Sequence, residues 1–224
     1  MSTSYLVIFS VVIAFLLFIS FLFIYSDFLF SITVKILKEK RTKHKLKKFA
    51  IDHDFPLLSD VVFEVKKEVF TTIDHVMIGD KYIYVITNKC WYGYLNGKAK
   101  DDKWILYRKD KLKHVSNPLI ANRSKVRHLA ALLETRPEDF VNIVYLSKPV
   151  VVKKIESNRE KEFVLFETEF EKFIEVYEKE CKLNAFAIKS IEKSAKSIFD
   201  YHKKSLISFK QVVAKESANA KSKS

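Results

Sequence analysis

Short apolar and β-branched stretches separated by turn residues dominate the chain between residues 55 and 107. Their partial alternation with polar residues is typical of half-buried strands. Gly79-Asp80 predicts a tight turn between two of them, and Gly93 and Gly97 lie in a predicted loop. The predicted strands are 60–66, 70–79, Tyr82–Asn88 and Trp104–Tyr107.

The second half of the chain shows a helical pattern followed by a returning strand. Asn117-Pro118 predicts a helix start, because Asn is a favoured N-cap and Pro suits the first helical position. Arg136-Pro137 predicts its end. The further predicted elements are a buried strand at Val141–Leu146, a strand at Glu162–Phe166, and helices at 167–181 and 186–214. The fold class predicted is α/β with a mixed sheet.

The N-terminus has a different pattern, with no charged side chain in residues 2–26. The apolar run Tyr5–Tyr25 is long enough to cross about 30 Å of hydrocarbon at roughly 1.5 Å per residue. A cleaved signal peptide is the alternative, but MSTS has no Lys or Arg, and the apolar run is too long for one. We therefore expect a transmembrane anchor over residues 1–34.

A basic segment follows the apolar run. Residues 35–48 carry eight Lys or Arg and one Glu, and positive charge marks the cytoplasmic end of a span. The predicted location is the cell membrane of a bacterium, single-pass, with the N-terminus outside and the main domain cytoplasmic. The same segment is expected to contact anionic lipid headgroups, with a topology signal alone as the alternative.

Composition narrows the function classes. The 224 residues carry 40 Lys or Arg against 27 Asp or Glu, a net charge of +13. Three Gly argue against a Gly-rich phosphate loop, and two Cys cannot form a four-ligand zinc site. The predicted domains are an anchor (1–34), a basic juxtamembrane segment (35–54), the α/β domain (55–150), a C-terminal strand and helices (151–214) and a polar tail (215–224).

Candidate chemistry lies on two of the predicted strands. Asp74 is on the strand beside the one that carries Thr87 and Lys89, and these last two share a face because side chains alternate along a strand. Metal-dependent phosphodiester cleavage uses carboxylates to hold Mg²⁺ and a lysine to position the attacking water. For Lys89 alone, a solvated lysine at a strand end is the alternative.

The stretch Ile73-Asp74-His75-Val76, followed by Tyr82–Lys89, resembles the NERD domain, the nuclease-related domain of the restriction-endonuclease-like superfamily. The resemblance covers about residues 55–150. Further matches are Tyr92-Gly93, Gly97, Trp104, Asn117-Pro118, Asn122, Leu129 and Val144-Tyr145-Leu146.

The resemblance implies a restriction-endonuclease-like mixed sheet flanked by helices and a Mg²⁺-dependent nuclease site. By residue, Asp74 corresponds to the metal-binding Asp and Lys89 to the catalytic Lys. The chain departs from the family at Thr87, where the family has Glu, and at Ala121, where it usually has Gln. The family's upstream Gly-Glu pair is absent, although Glu39 lies at about the right distance before the first strand. The expected metal ligands are Asp74, Glu39 and Thr87.

Thr87 changes the functional expectation, because a neutral hydroxyl does not supply the anionic ligand that Mg²⁺ normally requires. Three interpretations stay open. The site has lost catalysis and the fold is kept for binding; a substitute carboxylate such as Glu39 or Glu68 restores activity; or the fold serves an unrelated use. The sequence favours an impaired nuclease, with a non-catalytic scaffold that binds a protein partner as the alternative.

Residues 98–113 carry seven bases and three acids, with Trp104 and Tyr107 among them. Basic residues near a nuclease-like site fit sequence-independent contacts with phosphates, most simply of DNA; a solvated basic face is the alternative. We expect Trp104 in the core. The predicted nucleic-acid-binding residues are Lys98, Lys100, Lys103, Arg108, Lys111, Lys113, Asn122, Arg123 and Arg127.

Overall fold

The computed structural model describes residues 3–108, 111–147, 150–152, 155, 160–181 and 183–221. Helices in these ranges are α1 (Thr3–Asp52), α2 (Pro118–Leu133), α3 (Phe170–Glu180) and α4 (Ile188–Lys221). Strands are β1 (Leu57–Lys66), β2 (Val69–Ile78), β3 (Ile83–Lys89), β4 (Gly93–Asn96), β5 (Lys103–Arg108), β6 (Lys111–Ser116), β7 (Phe140–Leu146), β8 (Val150–Val152) and β9 (Glu162–Phe166). The chain divides into two compact units, Met1–Arg41 and Thr42–Ser224.

The predicted transmembrane anchor is not supported. The apolar run Tyr5–Tyr25 lies in α1, which continues without a break through the basic segment to Asp52. Within the described ranges, the structure has no helix with both the length and the apolar character needed to cross a membrane. This finding contradicts the predicted single-pass membrane location. The predicted contacts of residues 35–48 with lipid headgroups depended on that location and are not supported.

The larger sheet is mixed, as the sequence predicts. Its strand order is β1-β2-β3-β7-β9, with the first three strands antiparallel and β3, β7 and β9 parallel. The turn between β2 and β3 contains Gly79-Asp80. Since β3 and β7 are central and fully flanked, both consist almost entirely of buried residues.

Helices cover both faces of this sheet. On one face, Leu46 and Phe49 from the end of α1 and Phe170 from α3 join a core with Tyr84 and Tyr145. The other face packs against α2 and α4, and its core includes Val76, Ile83, Val85, Val126, Leu129 and Ile198. The side of β3 that faces α2 is therefore the side of Val85, and of Thr87 two residues later.

A second sheet of four strands, in the order β6-β5-β4-β8, adds a third core. The predicted loop around Gly93 forms β4 instead, which pairs with β5 and β8. Trp104 is fully buried in this core, as predicted, and its indole N–H donates to the Lys98 carbonyl at 2.9 Å. The core also contains Leu95, Leu106, Leu119, Val144 and Leu146.

Helix α2 begins where the sequence predicts. The Asn117 side-chain oxygen accepts from the Leu119 N–H at 2.9 Å, and Pro118 is the first helical residue. The helix ends at Leu133, three residues before Arg136-Pro137, because Glu134 adopts a left-handed conformation with φ 53°. A proline disfavours the helical conformation of the residue before it, so Arg136-Pro137 limits how far α2 can extend. The left-handed residue Glu134 ends the helix earlier.

Candidate functional site

Asp74 reaches across from β2 to the neighbouring strand. Its Oδ2 accepts a hydrogen bond from the backbone N–H of Asn88 at 2.8 Å. Asn88 lies between Thr87 and Lys89 at the end of β3, so the Asp74 carboxylate is fixed beside both predicted partners. The side chains of Asp74 and Lys89 are half-buried.

Thr87 belongs to a buried chain of polar side chains. Its hydroxyl donates to Asn122 Oδ1 at 2.6 Å, and Asn122 Nδ2 donates to Asn142 Oδ1 at 2.9 Å. Asn142 Nδ2 in turn donates to the Leu119 carbonyl at 2.9 Å. Thr87, Asn122 and Asn142 are each less than 5% exposed. The network joins β3, α2 and β7, and it occupies the proton of the Thr87 hydroxyl.

Lys125 of α2 completes the electrostatics of the site. Burial lowers the pKa of the half-buried Lys125 ammonium; the charge of Asp74 opposes this shift, and that of Lys89 adds to it. Two ammonium groups and one carboxylate therefore act on one another here. The two ammonium groups outnumber the single carboxylate, so the net charge of these three groups is positive. Their interactions are stronger than in bulk water, because water is partly excluded.

A buried hydroxyl lies close to the same end of the sheet. The Ser147 N–H donates to the Lys89 carbonyl at 3.3 Å, directly after β7. Ser147 is 3% exposed, and its Oγ has no hydrogen-bond partner among the described residues. By the alternation of β7, Ser147 follows Ile143 and Tyr145, which face α1 and α3, so it belongs to the side of the sheet opposite Thr87.

His75 follows Asp74 and lies on the opposite side of β2. Its Nδ1 is 2.8 Å from the Ser59 hydroxyl, and its side chain is buried. Burial lowers the pKa of His75, while the charges of Asp74 and Asp60 oppose the shift. His75 thus joins β1 to β2 on the face of β2 opposite Asp74.

A protein-family match covers the part of the chain that carries Asp74, Lys89 and Asn122. Residues 35–152 match the nuclease-related domain, NERD. The chain belongs to the NERD family. This membership supports a nuclease-related function. The matched segment begins in α1 and ends in β8, so it contains Asp74, Thr87, Lys89, Asn122 and Asn142.

Other comparisons add little to the NERD assignment. No curated protein matches the sequence. A crystal structure of a protein of unknown function, AF1548, is similar over 78% of this chain and 95% of that chain. The two are 13% identical with a TM-score of 0.26, values too low to support a conclusion about this chain.

The Mg²⁺ that the NERD family implies does not fit the donors present. Mg²⁺ needs near-octahedral oxygen ligands, and the family pattern provides two carboxylates, an Asp and a Glu, at the positions of Asp74 and Thr87. Asp74 supplies one carboxylate, and Thr87 supplies only a neutral hydroxyl engaged with Asn122. The described residues contain no group of three or more His, Cys, Asp or Glu able to hold a metal ion. The positive charges of Lys89 and Lys125 also repel a divalent cation beside Asp74.

The structure tests only one of the two substitute carboxylates considered from sequence. Glu39 is exposed on α1, in the unit Met1–Arg41, and its role stays a prediction. Glu68 is in the turn between β1 and β2, where its backbone N–H donates to the Glu64 side chain. At about 3.3 Å per residue, Glu68 lies roughly 20 Å along the strand from Asp74.

The predicted nucleic-acid-binding residues divide into three environments. Asn122 is fully buried in the polar network, and Arg123 makes two hydrogen bonds to Glu162, at 2.6 and 2.8 Å. The Arg108 guanidinium lies 4.1 Å from the centre of the Tyr92 ring. The exposed members are Lys98, Lys100, Lys103, Lys111, Lys113 and Arg127.

Neither the interaction of Lys125 with Asp74 nor the burial of Ser147 was predicted from the sequence. A lysine on a basic helix is normally solvated, and a serine after a strand is normally part of a loop. The one available signal was spacing: Lys125 lies three residues after Asn122, which places both on one side of α2.

Proposed function

We propose that this NERD domain binds nucleic acid at the end of β3 and that its metal-dependent cleavage is impaired. The observation that carries the proposal is the hydrogen bond from the Thr87 hydroxyl to Asn122. Thr87 occupies the position of the family's second carboxylate, and this hydrogen bond makes it part of the contact between β3 and α2. The site keeps the family's Asp74 and Lys89 but lacks the paired anions that hold a divalent cation.

Binding follows from the charges that stay at the site. Lys89 and Lys125 together outweigh the single charge of Asp74. A phosphodiester presents oxygens that accept from ammonium groups. Asp74 acts as a positioning residue, because its hydrogen bond to the Asn88 N–H fixes the strand end that carries Lys89.

Cleavage is tested on the full purified chain with plasmid and linear DNA, in Mg²⁺ and then in Mn²⁺. We expect no cleavage by the parent chain and metal-dependent cleavage by Thr87→Glu. That cleavage should disappear in the double variant Thr87→Glu/Asp74→Ala. A thermal melt checks that Thr87→Glu is folded, since its carboxylate faces the Asn122 oxygen unless the amide turns over. Cleavage by the parent chain that is lost in Asp74→Ala would contradict the impairment.

Binding is tested by fluorescence anisotropy with labelled DNA over a range of salt concentrations. We expect an affinity that falls steeply with salt, because each neutralised phosphate releases counterions. Lys89→Ala and Lys125→Ala should each reduce the slope of log affinity against log salt by about one. The exposed Lys193 on α4 provides the matched control, Lys193→Ala, which should leave the slope unchanged. Equal slopes in all four proteins would exclude the end of β3 as the binding site.

A further inference from the structure

The second sheet carries an exposed apolar row on the face turned away from its core. Leu112 of β6 pairs with Tyr107 of β5, Tyr107 pairs with Tyr94 of β4, and Tyr94 pairs with Val151 of β8. The exposed fractions are 53% for Leu112, 39% for Tyr107, 62% for Tyr94 and 55% for Val151. We refer to these four residues as the tyrosine row.

The tyrosine row follows from strand geometry. Trp104 and Leu106 point into the core, so Tyr107 points outward with Ile105 and Lys103. Adjacent strands lie about 4.8 Å apart, so four paired residues form a strip of roughly 14 Å across the sheet. None of the described aromatic rings packs against Tyr94 or Tyr107, so both rings are open to a partner.

The surroundings of the tyrosine row are basic. Lys103 lies on the same face of β5. Lys111 and Lys113 alternate with Leu112, so they point to the other face of β6, but both are exposed at this edge of the sheet. The Arg108 guanidinium is held over the ring of Tyr92, just before β4. With Lys103 on the face and two lysines at its edge, a partner that crosses this edge is expected to be anionic.

We propose that the tyrosine row is a platform on which the bases of single-stranded nucleic acid stack, while the surrounding lysines contact its phosphates. Flat rings beside cations are complementary to an unpaired strand, in which both bases and phosphates are accessible. A duplex hides the faces of its bases and offers only phosphates. The platform belongs to the second sheet, whereas Asp74 and Lys89 belong to the larger one. The inference rests on the proposed binding of nucleic acid and extends it to unpaired strands.

The proposal is tested with the full chain and three labelled ligands of equal length: oligo-dT, an abasic strand and a duplex. The test variant is Tyr94→Thr/Tyr107→Thr, because threonine keeps the β propensity of the strands while removing both rings. We expect the variant to bind oligo-dT about tenfold or more weakly than the parent chain. Its affinities for the duplex and for the abasic strand should stay within about twofold, because those ligands do not stack.

Two controls separate the rings from other effects. Phe199→Ala removes an exposed ring on α4 and should leave oligo-dT binding unchanged. Tyr94→Phe/Tyr107→Phe keeps both rings and should bind oligo-dT like the parent chain. Oligo-dT affinity that is unchanged in the threonine variant overturns the platform, while duplex binding would leave the proposed function standing. Absence of binding to all three ligands overturns both.

Discussion

The Arg123 guanidinium is held against the Glu162 carboxylate by two hydrogen bonds, and it also donates to the Ala99 carbonyl at 3.1 Å. Glu162 is 6% exposed. The carboxylate raises the pKa of Arg123, mainly through the side-chain hydrogen bond and against the effect of burial. The charge of Arg123 is therefore largely used within the fold, in contrast to the exposed Arg127 one turn further along α2.

Removing Arg123 should cost stability more than affinity. We expect Arg123→Ala to lower the free energy of unfolding by about 2–3 kcal/mol, because a buried carboxylate loses its partner. Arg127→Ala is the matched control and should change stability by less than about 0.5 kcal/mol. Urea unfolding measures both. A larger loss from Arg127→Ala than from Arg123→Ala would show that the ion pair does not stabilise the domain.

Asp74, Thr87 and Lys89 were recognisable from sequence because strand alternation and the family pattern fix their relation. The structure places Thr87 and Lys89 at the end of β3, and Asp74 in the middle of β2, where its carboxylate reaches the Asn88 N–H. The environments of Asn122 and Lys125 were not predictable in the same way. A polar residue on a helix has the same local pattern whether it is buried or solvated, and only the packing of α2 on β3 distinguishes the two.

At the scale of single elements, α2 ends in a residue, Glu134, whose backbone conformation is strained. Glu134 has φ 53° and ψ 39°, a left-handed conformation in which a side chain is unfavourable, while its N–H donates to the carbonyls of Ala130 and Ala131. We expect Glu134→Gly to raise the free energy of unfolding by about 0.5–1 kcal/mol. Glu134→Ala keeps the Cβ and should give no such gain in thermal melts. An equal gain in both variants would assign the effect to loss of charge.

The start of α2 should be costly to disrupt. Besides capping the helix, Asn117 Nδ2 donates to the carbonyls of Ala99 and Asp101 at 3.0 and 2.7 Å, so it also secures the loop before β5. Asn117→Ala should lower the free energy of unfolding by about 2 kcal/mol or more, through the lost cap and the unpaired carbonyls. Asn117→Asp restores the cap alone and should recover part of the loss. Full recovery would show that the loop contacts contribute nothing.

Elements with strong apolar runs were predictable, and short polar ones were not. β1, β2, β3, β5, β7 and β9 coincide with β-branched or aromatic stretches. β4 has only four residues and β8 three, too few to show a period. β6 reads Lys-Leu-Lys-His-Val-Ser and is mostly exposed, because it is an edge strand that depends on β5 for its partners. The pairing of β4 with β8 joins residues far apart in sequence, which no local pattern encodes.

At the scale of the whole larger unit, Glu178 ties α3 to the sheet. Its Oε1 accepts from the Tyr84 hydroxyl at 2.7 Å, and its Oε2 accepts from the Lys81 N–H at 3.0 Å. Burial raises the pKa of Glu178; these two hydrogen bonds and the charge of Lys81 oppose the shift, whereas the charge of Asp80 adds to it. Gly79 leaves room for this carboxylate, since a Cβ there would lie 2.2 Å from Oε1 and the Glu178 side chain would have to shift.

Stability should therefore depend on pH through Glu178. A raised pKa means that the folded state holds this proton more tightly than the unfolded state. The stabilisation is complete below the ordinary glutamate value of 4.5 and is lost as pH rises through the raised pKa. Relative to the parent chain, Glu178→Gln should gain stability as pH rises from 4.5 to neutral. Urea unfolding measures this difference, with Glu180→Gln, exposed on the same helix, as the matched control. A pH-independent difference between Glu178→Gln and the parent chain would contradict the pKa shift.

The order of the strands also has a consequence for synthesis on the ribosome. The hairpin of β1 and β2 and its extension to β3 join neighbours in sequence, and so does the meander from β4 to β6. Each of these two sets of strands has one edge whose partner strand is synthesised later. β3 pairs with β7, and β4 pairs with β8. Non-local pairing is slow compared with local pairing. The emerging chain thus exposes two unsatisfied strand edges until residues 140–152 appear, and one short translated segment closes both.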